Sequence, residues 1–243
     1  MTEIHNKETK FRFKEFEMDN SKSAMKISTD SIILGCWANI SDVNSALDIG
    51  SGTGLLSLML AQRGVKKVTG IEIDPTAYEE SVGNALQSPW NSSVSFINGD
   101  ITTAEIGKFD LIISNPPYFD IAFSGLTSPV PSRHLARHES SLNYKWLLKN
   151  GLSLLNSAKG RMCFISPSDR EEEITFDSSL CRWKIVRKCR IASSPKKTPK
   201  RILWELRPTS EIKPSEETLF IKHLNGDYTK EYIDLTKDFY VKF

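Results

Sequence analysis

Two spacings of apolar residues take turns along this chain. Dense apolar runs at 46–49, 67–71, 94–98, 109–114, 160–166 and 202–206 have the length of buried strands. The runs at 32–38, 55–61 and 142–155 have the length and spacing of helices that turn an apolar face to a core. Alternating strands and helices imply an α/β fold, here a mostly parallel seven-stranded sheet with helices on both faces and an antiparallel edge. Ahead of the sheet, Phe11-Arg-Phe-Lys-Glu-Phe-Glu-Met18 alternates with the period of a half-buried strand, and Ser28, Thr29 and Asp30 offer N-cap chemistry to the first helix. The tail predicts a strand at 219–224 and a helix at 228–240 with aromatic residues on its apolar side. No repeat, low-complexity stretch or linker divides the chain, so one domain is expected over 1–243, with 1–44 as a preface to a core at 45–243.

The turns after the strands hold the candidate chemistry. Asp48-Ile49 leads into Gly50-Ser51-Gly52-Thr53-Gly54 and then a helix, the opening of a Rossmann-like unit. The spacing is G-x-G-x-G, not the G-x-G-x-x-G that aims a helix N-terminus at a pyrophosphate. Asp48 would repel a phosphate but attract a cation such as an α-ammonium group. The next strand ends at Glu72, placed to take both hydroxyls of a ribose, and Asp74-Pro75 caps the helix after it. The third strand ends near Asp100, placed to accept from an adenine amino group. Glycine loop and three acids in this order describe a site for S-adenosyl-L-methionine, with Asp48, Gly50, Gly52, Gly54, Glu72 and Asp100 as its residues.

The fourth strand runs into Asn115-Pro116-Pro117-Tyr118. Two prolines stiffen the turn and hold the carbonyls of Asn115 and Pro116 beside the Asn115 side-chain oxygen. Tyr118 adds a flat aromatic face. Converging acceptors next to a stacking surface suit a planar group bearing an NH₂: an adenine, a cytosine or a side-chain amide.

Composition changes this picture little. The formal net charge is +2, so any nucleic-acid footprint must be local. One candidate lies between Cys181 and Trp204, where nine basic residues and no acid form a strand-loop-strand near 181–207; Lys196, Lys197, Lys200 and Arg201 are expected phosphate contacts. Arg133 and Arg137 belong to a long polar loop after Tyr118 that reads as a substrate lid. His134 and His138 in that loop lack a third ligand, so no metal is expected. Cys36, Cys163, Cys181 and Cys189 are scattered and read as reduced packing residues. The first residues carry no apolar signal segment and no window is long enough to span a membrane, so a cytoplasmic location is expected.

The stretch 48–118 resembles class I methyltransferases of the N-methylating Asn-Pro-Pro-Tyr group. Met25-Lys-Ile-Ser-Thr-Asp30, Ile112-Ile-Ser-Asn-Pro-Pro-Tyr-Phe119 and Asp227-Tyr-Thr-Lys-Glu-Tyr232 extend the likeness over almost the whole chain, to the bacterial valine-tRNA adenine-N6 methyltransferase family. The resemblance implies methyl transfer from S-adenosyl-L-methionine, leaving S-adenosyl-L-homocysteine, to the adenosine 3′ of the anticodon. Asn115 and Pro116 would hold the base and Tyr118 would stack on it. Valine tRNA is the expected partner, with no membrane and no obligate protein partner. Two alternatives remain: a protein glutamine methyltransferase presenting an amide to the same tetrapeptide, and a non-catalytic RNA-binding protein on this fold.

Overall fold

The structure, a computed structural model, describes residues 10–23, 25–117, 142–209, 211 and 213–243. In chain order the elements are β1 (Lys10–Arg12), β2 (Glu17–Asp19), α1 (Thr29–Trp37), β3 (Ser45–Ile49), α2 (Leu55–Gln62), β4 (Lys67–Glu72), α3 (Pro75–Gln87), β5 (Val94–Asn98), β6 (Leu111–Ser114), α4 (Tyr144–Asn150), β7 (Arg161–Pro167), α5 (Glu171–Leu180), β8 (Lys184–Ala192), β9 (Arg201–Arg207), β10 (Ser215–Phe220) and α6 (Lys230–Thr236). The sheet order is β10-β8-β9-β7-β6-β3-β4-β5. All neighbours pair in parallel except β9, which runs against both β7 and β8.

Seven of these strands make the expected sheet, and β10 adds an eighth at the β8 edge. The reversed strand is not the edge itself but lies two places inside it. One consequence matters for the site. Because β8 and β10 run in the same direction as β3 to β7, the turn after β8 opens on the same side as the turns after β3, β4, β5 and β6.

Side chains along the central strands alternate between two cores, as the pleat requires. Ala46, Leu111, Ile113, Cys163, Ile165 and Leu203 face one core with α1 and α2. Leu47, Ile49, Ile112, Met162, Phe164 and Trp204 face the other with α4 and α5. Both faces of the sheet are therefore covered. No helix among the described residues is long and apolar enough to cross a membrane.

Three expected elements take a different form. The alternating stretch 11–18 is a hairpin, not one strand: Phe13 and Phe16 stack at 4.5 Å and the Phe13 amide donates to the Phe16 carbonyl, which folds the chain between them. The helix at 142–155 is α only to Asn150 and continues as a 3-10 turn over Gly151–Leu154. There Gly151 lies so close to Trp183 that a Cβ would stand 3.0 Å from its ring. The last strand lies at 215–220, earlier than the expected 219–224, because its register sets Ser215–Phe220 against Arg187–Ala192 of β8. All four cysteines are free; Cys36, Cys163 and Cys189 are buried, and burial pushes each thiol up to about 12.

Candidate active site

Parallel pairing brings the four candidate turns to one edge of the sheet. Asp48 is in register with Gly70 and with Ile113, and Glu72 with Asn98. The amides of Gly50 and Ser51 both donate to the Ile71 carbonyl, and that of Gly99 to the Glu72 carbonyl, which laces the turns together. The Ser114 hydroxyl donates to the Ile49 carbonyl at 2.7 Å, so Asn115 leaves β6 directly beside the glycine turn.

All three turn glycines have positive φ: 70° at Gly50, 54° at Gly52 and 88° at Gly54. At Gly54 sterics add a second reason, since a Cβ there would stand 2.7 Å from the Phe96 ring. Beside Gly52, by contrast, a Cβ would meet nothing within 4 Å. The turn is packed on its inner side and open at its tip, as a ligand that presses on backbone requires.

Glu72 closes the turn from below. One carboxylate oxygen accepts from the Gly52 amide at 2.7 Å and the other from the Asp74 amide at 2.9 Å. Burial pushes its carboxyl above the ordinary range despite these two donors. Asp100 follows β5, half-buried, and its Oδ1 accepts from the Thr102 amide at 2.8 Å.

Asp48 lies under the turn and is wholly buried. Its Oδ2 accepts from the Ser57 hydroxyl at 2.7 Å and the Ser57 amide at 3.1 Å, which ties the first turn of α2 to β3. Its Oδ1 has no hydrogen-bond partner among the described residues. Burial pushes the carboxyl from 3.8 up to about 7, against the two Ser57 hydrogen bonds, and the charge of Glu72 adds to the rise. A buried acid with an unsatisfied oxygen beneath a glycine turn fits a cationic ligand, whose charge would stabilise the ionised form.

This yields a prediction for the ligand-free protein. The folded state holds the Asp48 proton up to about pH 7 while the unfolded chain releases it near 4, so stability from this group is present at low pH and lost as pH rises through that window. Asp48→Asn should flatten the decline in urea midpoint between about pH 4 and about pH 7. Parallel declines in the two proteins would show that Asp48 ionises normally.

Asn115 is half-buried and its Nδ2 donates to the Ser31 hydroxyl on α1 at 2.8 Å. Pro116 is buried. Tyr118, Arg133, Arg137, His134 and His138 lie outside the described residues. The lysine turn between β8 and β9 stands at the same sheet edge as Asn115. Lys196, Lys197 and Lys200 are exposed on it, and its backbone is held firmly: Ser168 bonds the carbonyls of Pro199 and Lys200, and the Lys200 amide donates to Ile191.

Four other basic residues of this run have partners within the protein. Arg201, expected with the lysines, bonds Asp30 on α1 at 2.8 Å. Lys188 and Arg190 both pair with Glu171 and Glu216, and Arg187 lies 3.8 Å over the Trp37 ring. Lys26 donates to the carbonyls of Asn20 and Ser21.

Two supporting residues went unnoticed in the sequence. Asn84 of α3, almost fully buried, donates to the Thr53 carbonyl at 2.9 Å and also pairs with the backbone of Asp19, linking the glycine turn to β2. Glu80, one turn earlier on α3, accepts from the amides of Lys22 and Ser23. Their i, i+4 spacing on a helix that follows Asp74-Pro75 was the available signal.

A match to the methyltransferase small domain family spans residues 23–124. A Porphyromonas gingivalis protein named as a tRNA1(Val) (adenine(37)-N6)-methyltransferase is 39% identical over 95% of this chain and 94% of its own length. A Tolumonas auensis protein of the same name is 36% identical over 96% and 97%. Among solved structures, a predicted O-methyltransferase of Agrobacterium tumefaciens superposes with a TM-score of 0.66 at 18% identity, covering 86% of this chain and 96% of that one, a likeness of fold.

Proposed function

Because this chain belongs to the tRNA1(Val) (adenine(37)-N6)-methyltransferase family, we propose that it transfers a methyl group from S-adenosyl-L-methionine to N6 of the adenosine immediately 3′ of the anticodon in valine tRNA. The observation that carries the reading is the placement of Asn115 at the end of β6, beside the glycine turn and on the same sheet edge as the lysine turn. Donor, acceptor and RNA surfaces then share one rim.

The cofactor supplies an electrophilic methyl on a sulfonium. Its residues in this chain are the Gly50-Gly52-Gly54 turn, Glu72 for the ribose hydroxyls, Asp100 for the adenine amino group, and Asp48, whose buried charge favours the ammonium through space. Adenine N6 is a weak nucleophile because its lone pair is delocalised into the ring. The oxygen of the Asn115 carboxamide and the carbonyl of Pro116 accept the two N6 hydrogens and turn the lone pair out of the ring plane. They also stabilise the positive charge that develops on nitrogen as the N–C bond forms and the C–S bond breaks. The N6 proton is then lost to water, leaving a neutral methylated amine. Tyr118 stacks on the base, which must leave the anticodon-loop stack to enter the site.

The lysine turn supports tRNA as the substrate. Replacing Lys196, Lys197 and Lys200 together by alanine should weaken tRNA binding and flatten its salt dependence, by roughly 0.7–0.9 in the log–log slope for each phosphate that these lysines neutralise. Affinity for the free cofactor should not change. An unaltered salt slope would move the RNA surface elsewhere. A tRNA substrate places the enzyme in the cytoplasm.

The proposal itself is tested by offering purified protein and labelled S-adenosyl-L-methionine either unmodified total tRNA or protein extract. Label in tRNA supports it. Label in a protein side-chain amide, with none in tRNA, would transfer the same site to a glutamine substrate.

A further inference from the structure

Asn115 has to offer an acceptor to the substrate amine, yet a carboxamide has two ends of similar shape and opposite polarity. Turned the wrong way, it would meet the N6 amine with its own NH₂. The structure contains a group that selects between these orientations. Ser31 is the third residue of α1, and its hydroxyl oxygen lies 2.8 Å from Asn115 Nδ2.

A hydroxyl can donate as well as accept, so this contact alone does not choose the carboxamide's orientation. Ser28 gives the Ser31 proton a place to go. Its hydroxyl oxygen is 3.3 Å from that of Ser31 and already accepts from the Ser31 amide at 3.2 Å, as the N-cap of α1. With the Ser31 proton directed to Ser28, the Ser31 oxygen presents lone pairs to Asn115 and takes its NH₂. In that arrangement the donors run from Asn115 to Ser31 to Ser28, the residue that caps the helix.

We propose that Ser31 is a positioning residue for Asn115, whose hydroxyl holds the carboxamide NH₂ so that the oxygen is the end offered to the substrate amine. The inference rests on the acceptor role of Asn115 proposed above. It makes α1 part of the active site although α1 precedes the glycine turn in sequence. The adjacent Asp30 bonds Arg201 at the base of the lysine turn, so one helix end touches both the catalytic motif and the proposed RNA surface.

The test is a double-mutant cycle read by single-turnover rate, tRNA KM, cofactor Kd and Tm. Ser31→Ala should lower the rate about tenfold while KM, Kd and Tm stay within about twofold or a degree or two of the parent, since Ser28, not Ser31, caps the helix. Ser31→Thr, which keeps the hydroxyl, should restore most of the rate. In an Asn115→Ala background, Ser31→Ala should cost nothing further, because the group it positions is gone.

A wild-type rate for Ser31→Ala, or an equal loss in the Asn115→Ala background, would overturn the positioning role while leaving the Asn115 reading intact. A full rate for Asn115→Ala alone would instead overturn the role of Asn115, and the inference with it.

Discussion

Asn115→Ala should slow methyl transfer by about 10²–10³-fold, the range found when one preorganised polar contact to a developing charge is removed. Cofactor affinity should stay within a few-fold of the parent, because the hydrogen bonds that hold the glycine turn come from Ile71, Glu72 and Asn84. Stability should fall little, since the bond to Ser31 joins half-buried groups. The effect should therefore be confined to kcat, measured under saturating cofactor and tRNA. A collapse of cofactor binding together with the rate would make Asn115 a structural residue of the turn and remove it from the chemistry.

The second large effect lies in the fold. Trp204→Ala should destabilise the protein by about 3–5 kcal/mol, the usual cost of emptying a large aromatic site in a core. At this chain length that is a drop in Tm of about 6–20 °C. Trp204 is fully buried on β9, stacks on Phe164 of β7 at 6.2 Å, and donates its Nε1 proton to Ser166 at 2.9 Å. The substitution leaves both a cavity and a buried serine hydroxyl without its donor. It also loosens β9, one of the two strands that carry the lysine turn, so weaker tRNA binding should accompany the lower Tm. Thermal unfolding followed by circular dichroism checks the first part; a Tm within a degree or two of wild type would mean that the neighbouring strands close the cavity.

These two residues also mark what could be read from the sequence. The positions of the strand-end acids and of Asn115 were legible because the parallel strands β3 to β6 put their carboxyl-terminal turns on one side, so residues far apart in the chain meet along one sheet edge. Ser28 and Asp74 were legible as caps because capping is local, and both accept the expected backbone amides. Contacts distant in sequence were not. Nothing near Asn115 indicates Ser31, 84 residues earlier, as its partner. Likewise the acid-free run from Cys181 to Trp204 does not show that Glu171 on α5 and Glu216 on β10 pair with its Lys188 and Arg190. The turn between the strands keeps its lysines exposed. Asp48 was placed correctly in the chain, while its complete burial, and hence its raised carboxyl, depends on α2 folding over it.

The most direct measurement compares two unmodified valine tRNA transcripts, one natural and one with guanosine in place of the adenosine 3′ of the anticodon. Each is incubated with the purified protein and S-adenosyl-L-methionine, then digested for nucleoside mass spectrometry. Methyl transfer to N6 of that adenosine predicts N6-methyladenosine approaching one per molecule in the first transcript and none in the second. Equal methylation of both, or none in either while the protein binds the cofactor, would contradict it.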